Sequence, residues 1–160
     1  MRKGWHWSVL AAGLMLLAAC NRDRTAEMPD APRGHPPRSD ARIEMRLVSQ
    51  DASGVTAQLP NGTPVKLVGP PIITTSAIAS VRQEVGEDGR ASIYYTFTEA
   101  SETRIERATE ALVGRAVVIT VDGEPVSQAV ISGPFGKSMM TSGVDPEEAK
   151  VLVARMTGEP

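Results

Sequence analysis

Downstream of residue 42 the apolar positions repeat with two periods, and each switch of period marks a new element. Ile43 to Val48 alternates and predicts a strand. Turn residues at Asp51 to Gly54 lead into a second strand over Val55 to Leu59, and Asn61-Gly62 is a tight hairpin signal before a third at Val65 to Val68. Together these predict a small antiparallel β meander over residues 42–69. Gly69-Pro70-Pro71 then interrupts the pattern. Proline has no N–H to give to a ladder, so a central strand is not expected to cross two of them, and a subdomain seam is expected here.

Beyond the prolines, residues 72–160 predict one larger domain. Ala77 to Val85 reads as a strand, Gly86 to Gly89 as a turn and Ala91 to Thr98 as a half-buried strand, with Ile93, Tyr95 and Phe97 on one face and Ser92, Tyr94 and Thr96 on the other. Thr98 can cap a helix whose first turn holds Glu99 and Glu102, whose core face is Ile105, Ala108 and Leu112, and which stops at Gly114. Ala116 to Val121 is a β-branched run entering Asp122-Gly123, the strongest hairpin signal in the chain, with Val126 to Ile131 returning. Gly133-Pro134-Phe135-Gly136 turns the chain again. The last helix is the best specified element: Asp145 caps, Pro146 opens, Glu148 completes a capping box, Ala149, Leu152, Val153 and Met156 form one stripe, and Gly158 closes it. The sum is an α+β fold, a largely antiparallel sheet with two helices packed on one face, preceded by the meander.

The start of the chain follows neither period. Arg2 and Lys3 precede an uncharged run from Ser8 to Ala19, shorter than the roughly 20 residues a membrane-spanning helix needs, which has the form of a secretory signal over residues 1–19. Leu17-Ala18-Ala19-Cys20 resembles the lipobox of bacterial lipoproteins, a resemblance that implies cleavage before Cys20 and acylation of its sulfur. Several acyl chains anchor stably where one does not. The same resemblance implies a periplasm-facing anchor, with Asn21, in place of an aspartate, leaning towards the outer membrane. Residues 20–41 carry Pro29, Pro32, Pro36 and Pro37 and little that is apolar, so they are expected to be a disordered tether. Such a tether reaches about 70 Å when extended and averages about 25 Å as a coil.

Composition narrows the function. At 160 residues, with 41% hydrophobic and 22% charged, the chain has room for one ordinary domain and is neither wholly disordered nor polytopic. Losing the leader lowers Lys+Arg from 17 to 15 against 19 acids, a net charge of −4, which leaves no basic field for nucleic acid. After the leader the only histidine is His35 and the only cysteine is Cys20, so the folded part offers neither a Ser-His-Asp or Cys-His nucleophile nor a His/Cys zinc site or a redox dithiol. Gly136-Lys137-Ser138 lacks the spacing of a phosphate loop, and Ser127 has no activating base nearby. Glu84, Glu87, Asp88, Glu99, Glu102, Glu106 and Glu110 could in principle supply a paired acid and base or calcium ligands. Their interleaving with Arg104 and Arg107 is that of solvated helix faces and turns. No cofactor, no metal and no catalytic residue is expected.

Gly114-Arg115 before the run Ala116 to Gly123, then Val126-Ser127, Val130-Ile131, Thr141-Ser142-Gly143 and the Glu147-Glu148-Ala149 helix resemble the head subdomain of the first periplasmic domain of SecD. The resemblance spans about residues 77 to 159. It departs after Ser127, where Gln128-Ala129 lacks the proline often found in that family, and the membrane helices that follow in SecD are not expected here. It implies binding without pumping: a tethered, non-enzymatic envelope module for emerging secreted polypeptide or for the Sec translocase. A structural or assembly lipoprotein with a partner unrelated to export is the alternative, and a small carboxylate-based hydrolase is a third reading, which requires two carboxylates converging in a concave pocket. For the binding reading the candidate contacts are Tyr94, Phe135, Met139 and Met140, since flexible thioethers suit varied apolar segments. Alternation sends one of each adjacent pair, Tyr94/Tyr95 and Met139/Met140, towards the core.

Overall fold

β-Branched and aromatic runs punctuated by glycine become eight strands, and the two amphipathic stretches become helices. The computed structural model describes residues 34–51 and 53–159. The expected leader, Cys20 and the tether up to residue 33 lie outside the described residues. In chain order the elements are β1 (Ile43–Val48), β2 (Val55–Gln58), β3 (Pro64–Thr74), a short 3-10 turn (Thr75–Ala77), β4 (Ile78–Val85), β5 (Ala91–Phe97), α1 (Glu99–Glu110), β6 (Ala116–Val121), β7 (Glu124–Val130), β8 (Ser138–Val144) and α2 (Pro146–Thr157). All pairings are antiparallel and the fold is α+β.

The strands divide into a five-stranded sheet of order β2-β3-β1-β6-β7 and a three-stranded sheet of order β4-β5-β8. Strand β6 sits inside the larger sheet with both faces covered. Val117, Ile119 and Val121 join the main core with Ile43, Met45, Ile73, Tyr95, Ile105 and Met156, while Val118 joins a smaller cluster with Leu59, Val65 and Leu67. Both helices feed the main core, α1 through Ile105 and α2 through Ala149, Val153 and Met156. The larger sheet curls, so that Cα atoms of its two edge strands, β2 and β7, come within 8 Å of each other.

Strand β3 overturns the expected seam, because it runs unbroken through Gly69-Pro70-Pro71. Met45 pairs with Ile73 and Leu47 with Val68, so residues 69–72 bulge outward opposite Arg46 alone. In a bulge the missing proline N–H groups are not required. Arg46 Nη2 donates to the Gly69 carbonyl at 2.8 Å and fixes the bulge. The meander is thus not a separate piece but half of the larger sheet. The end of the expected tether also differs: His35 exchanges backbone hydrogen bonds of 2.9 and 2.8 Å with Val81 of β4, the Arg38 N–H donates to the Met156 carbonyl, and Ala41 is buried. Backbone pairing, not apolar content, orders this stretch.

The hairpin turns follow their residues closely. Asp122 (φ 53°) and Gly123 (φ 86°) both take the left-handed conformation that the tight two-residue turn demands. At 61–62 only Gly62 does so, and the Leu59 N–H bonds the Thr63 carbonyl across a longer turn begun by Pro60. The Asp145 carboxylate accepts from the N–H groups of Glu147 and Glu148 at 3.0 and 3.3 Å, and Gly158 closes α2 in the left-handed conformation. Thr98 sits at the cap of α1, but its hydroxyl donates to Ser101 Oγ rather than accepting from the helix backbone.

Asp122 also ties three elements together. Its Oδ1 accepts from the Arg42 N–H at 3.0 Å, its Oδ2 lies 3.4 Å from Arg155 Nε, and Arg155 Nη2 reaches the Val121 carbonyl at 3.0 Å and Glu124 Oε2 at 2.9 Å. The backbone hydrogen bond from Arg42, and after it Arg155, holds the Asp122 carboxyl below the usual carboxylate range. A lowered native value contributes stability above the unfolded Asp value of about 3.9, and that contribution is lost as pH falls through the native value. Asp122→Asn, which keeps a residue tolerant of the turn, is therefore expected to lower the urea midpoint at neutral pH and to flatten the acid limb of the stability curve below about pH 4, with little change in slope m.

Candidate functional site

The alternation of β5 decides which of the expected contact residues reach the surface. Cross-strand pairing aligns Val81, Tyr95 and Met139 in one row and Arg82, Tyr94 and Met140 in the next. The first row faces the core, with Val81 0%, Tyr95 1% and Met139 7% exposed. The second faces outward: Met140 is 51% exposed and Tyr94 is half-buried. Tyr94 and Met140 are thus brought side by side, and Met139 is withdrawn from the surface. Phe135 is elsewhere, packed partly against the main core, with its N–H donating to Thr109 Oγ1 of α1 at 2.9 Å.

The outward row is a small amphipathic platform. The Arg82 guanidinium lies 4.0 Å from the Tyr94 ring centroid and donates to Glu84 at 2.8 Å, so the cation holds one face of the ring. Small hydroxyl residues surround it, with Ser80, Thr96 and Ser138 aligned across the strands. Such a surface offers apolar and π contact with no reactive group. On the opposite row, burial pushes the Tyr95 hydroxyl far above the usual phenol range, against a hydrogen bond with Thr141 that lowers it. Tyr95 is therefore a neutral core residue at every physiological pH.

A second feature was missed from the sequence because it is assembled from three distant segments. A groove of about 690 Å³ opens between the β2–β3 turn, the start of β7 and α2. Its apolar floor is Pro60, Pro125, Val126, Val151 and Leu152, and its rim carries Glu124, Glu147 and Glu148 with Arg155. A hollow of about 590 Å³ along β7 shares Pro60 and Val126 with it. Val126 enters both because β7 bulges there: Ser127 pairs with Ile119 and Pro125 with Thr120, leaving Val126 unpaired between them. In the sequence Glu148 is accounted for by the capping box of α2; the one signal of the groove there is Val151, an apolar residue off the stripe, which is 65% exposed.

The carboxylates that line the two hollows face solvent. The seven carboxylates considered from the sequence do not line either hollow. Those that do are solvated, Glu124 with its side chain 72% exposed and held by Arg155, and Glu147 and Glu148 exposed on the first turn of α2. Among the described residues no group of three or more His, Cys, Asp or Glu is placed to hold a metal ion, and no helix is long and apolar enough to cross a membrane.

The split between the two rows has a measurable consequence. Tyr95→Ala is expected to destabilise the fold by about 3–5 kcal/mol, as for a fully buried aromatic. Tyr94→Ala is expected to cost about 1 kcal/mol, chiefly the exposed cation–π contact. Chemical denaturation of both variants measures the difference, and equal costs would place Tyr94 in the core.

With this geometry in place, three comparisons locate the chain among known proteins. The profile of the family described as SecDF, P1 head subdomain, matches residues 47–158. Among solved structures, the chain is similar to SecDF as described in the structure and function of a membrane component that enhances protein export, at 21% identity and a TM-score of 0.55 over 76% of this chain and 64% of that one. It is also similar to SecDF in its super-membrane-facing form, at 20% identity and 0.54 over 78% of this chain and 19% of that one. The translocon-associated membrane protein SecDF from Thermus thermophilus matches at 24% identity and 0.55, over 73% and 19% of the two chains. The chain therefore spans about two thirds of the first of these and a fifth of the other two, and the likeness is one of fold. No curated protein matches.

Proposed function

The chain belongs to the SecDF P1 head subdomain family, and from that membership we propose that it is a non-enzymatic, membrane-tethered module of the cell envelope that binds polypeptide or a component of the export machinery. The observation that carries this reading is the family match over residues 47–158, which takes in the outward Tyr94 and Met140 platform. One SecDF structure with which it shares its fold belongs to a protein that enhances protein export, and another is translocon-associated. Fold alone does not fix function, so the export role rests on this family and not on the sheet topology. The same proposal places the tether at Cys20, acylated and facing the periplasm, with the bilayer as the second partner.

The platform is suited to transient recognition. A ring with one face held by Arg82 and a neighbouring thioether can meet varied apolar side chains without a shaped pocket. In-cell photo-crosslinking from probes at Tyr94 and Met140, with a probe at buried Met139 as internal control, tests the reading. The expected captures are translocase subunits or many unrelated secreted chains, identified by mass spectrometry. A single stoichiometric envelope protein unconnected with export would favour the structural or assembly lipoprotein instead, and the absence of adducts at both outward positions would overturn the platform.

The anchor is tested on its own. Cys20→Ser is expected to abolish fatty-acid labelling and to leave the leader uncut or release the protein from membranes; labelling that persists in the variant would refute acylation at this residue.

A further inference from the structure

The groove beside α2 has a chemistry of its own, distinct from the Tyr94 and Met140 platform. Its lining is largely apolar and includes Val151, 65% exposed although it lies on a helix whose neighbouring stripe is core. Its rim is acidic. Glu147 and Glu148 are exposed, and the single cation present, Arg155, is already engaged by Asp122, the Val121 carbonyl and Glu124. An anionic occupant would meet uncompensated like charge at this rim, whereas a cationic one would be drawn to it.

One wall of the groove is the start of β7, Glu124 to Val126, at an edge of the five-stranded sheet; Pro125, which has no N–H, and the bulge at Val126 blunt that edge against an added strand, so an occupant is held there by side chains. The apolar floor continues along β7 into the neighbouring hollow, which shares Pro60 and Val126 with it, and that length, with the acidic rim, suits an extended chain rather than a compact small molecule.

We propose that this groove takes an extended polypeptide segment in which apolar residues are flanked by lysine or arginine. The apolar side chains would lie over Val126, Val151 and Leu152, and the flanking cations would meet Glu147 and Glu148. This rests on the polypeptide-binding reading above and supplies it with a substrate class: unfolded segments combining positive charge with apolar residues are held, and acidic ones are passed over.

The test uses the full chain in detergent and a short fluorescein-labelled peptide, apolar in its middle with lysines at both ends, followed by fluorescence anisotropy. A second probe replaces the lysines with glutamates. The lysine probe is expected to bind with an affinity that falls as salt rises, and the glutamate probe is expected not to bind. Val151→Gln, at an exposed position that leaves the core intact, is expected to weaken the lysine probe about tenfold. Glu147→Gln combined with Glu148→Gln is expected to weaken it and to flatten the salt dependence.

Equal binding of the two probes, or unchanged affinity in the groove variants, would overturn the assignment. If affinity falls only in Tyr94→Ser, polypeptide binding stands and the groove is not its site; if the wild type binds neither probe, both readings fail. Self-association that Val151→Gln abolishes, without peptide binding, would make a second copy of this chain the occupant and overturn the proposal. Binding that appears only after residues 21–33 are deleted would make the chain's own segment the occupant, with the same result.

Discussion

Pairing of β1 with β6 is the constraint on which the remaining structure depends. It sets Ile43 against Val121 and Leu47 against Val117, so two short runs from opposite halves of the folded region become neighbours at the centre of the larger sheet. Without that register β1–β3 would be a three-stranded piece with one face bare, too small to bury its own apolar residues. With it, Ile43, Met45, Ile73, Ile119 and Val121 form one wall, against which the three-stranded sheet and both helices close. Closing a loop of this length is entropically costly, and the recompense is burial of β6 on both faces.

The clamp at Asp122 belongs to the same constraint. The hairpin turn that ends β6 is joined to the chain entering β1 by two hydrogen bonds with Arg42 and to α2 through Arg155. One carboxylate thereby aligns the register of the central pair with the placement of the last helix. Because α2 is held against β7 in this way, its Glu147, Val151 and Arg155 face becomes a wall of the groove instead of a featureless exterior. The curl of the larger sheet supplies the opposite wall by bringing the β2–β3 turn towards β7.

Much of the local structure was legible because it depends on neighbours in sequence. Asp145-Pro146 with Glu148 and Gly158 locates α2, Asp122-Gly123 locates its hairpin, and the alternation of Ile93, Tyr95 and Phe97 identifies the buried face of β5. That alternation also foretold that one of Tyr94 and Tyr95 and one of Met139 and Met140 must face outward. It could not say which methionine, because β8, with its glycine and serines, has too weak a pattern to set its own phase. The seam expected at Gly69-Pro71 failed for a related reason. Proline was read as a strand-breaker, whereas a bulge opposite Arg46 relieves the demand for its N–H, and a bulge is a property of two strands rather than one.

The sequence by itself determined the α+β class, the Asp122-Gly123 hairpin, both ends of α2 and the family, since these follow from spacing, turn chemistry and motif order within short windows. Tertiary structure alone decided which strands share a sheet, that Met139 lies inward and Met140 beside Tyr94, and that Pro60, Val126 and Val151 line a single groove. Those outcomes are set by long-range register and by the curl of the sheet. Both arise from the summed burial of many residues far apart in the chain, which no local pattern encodes.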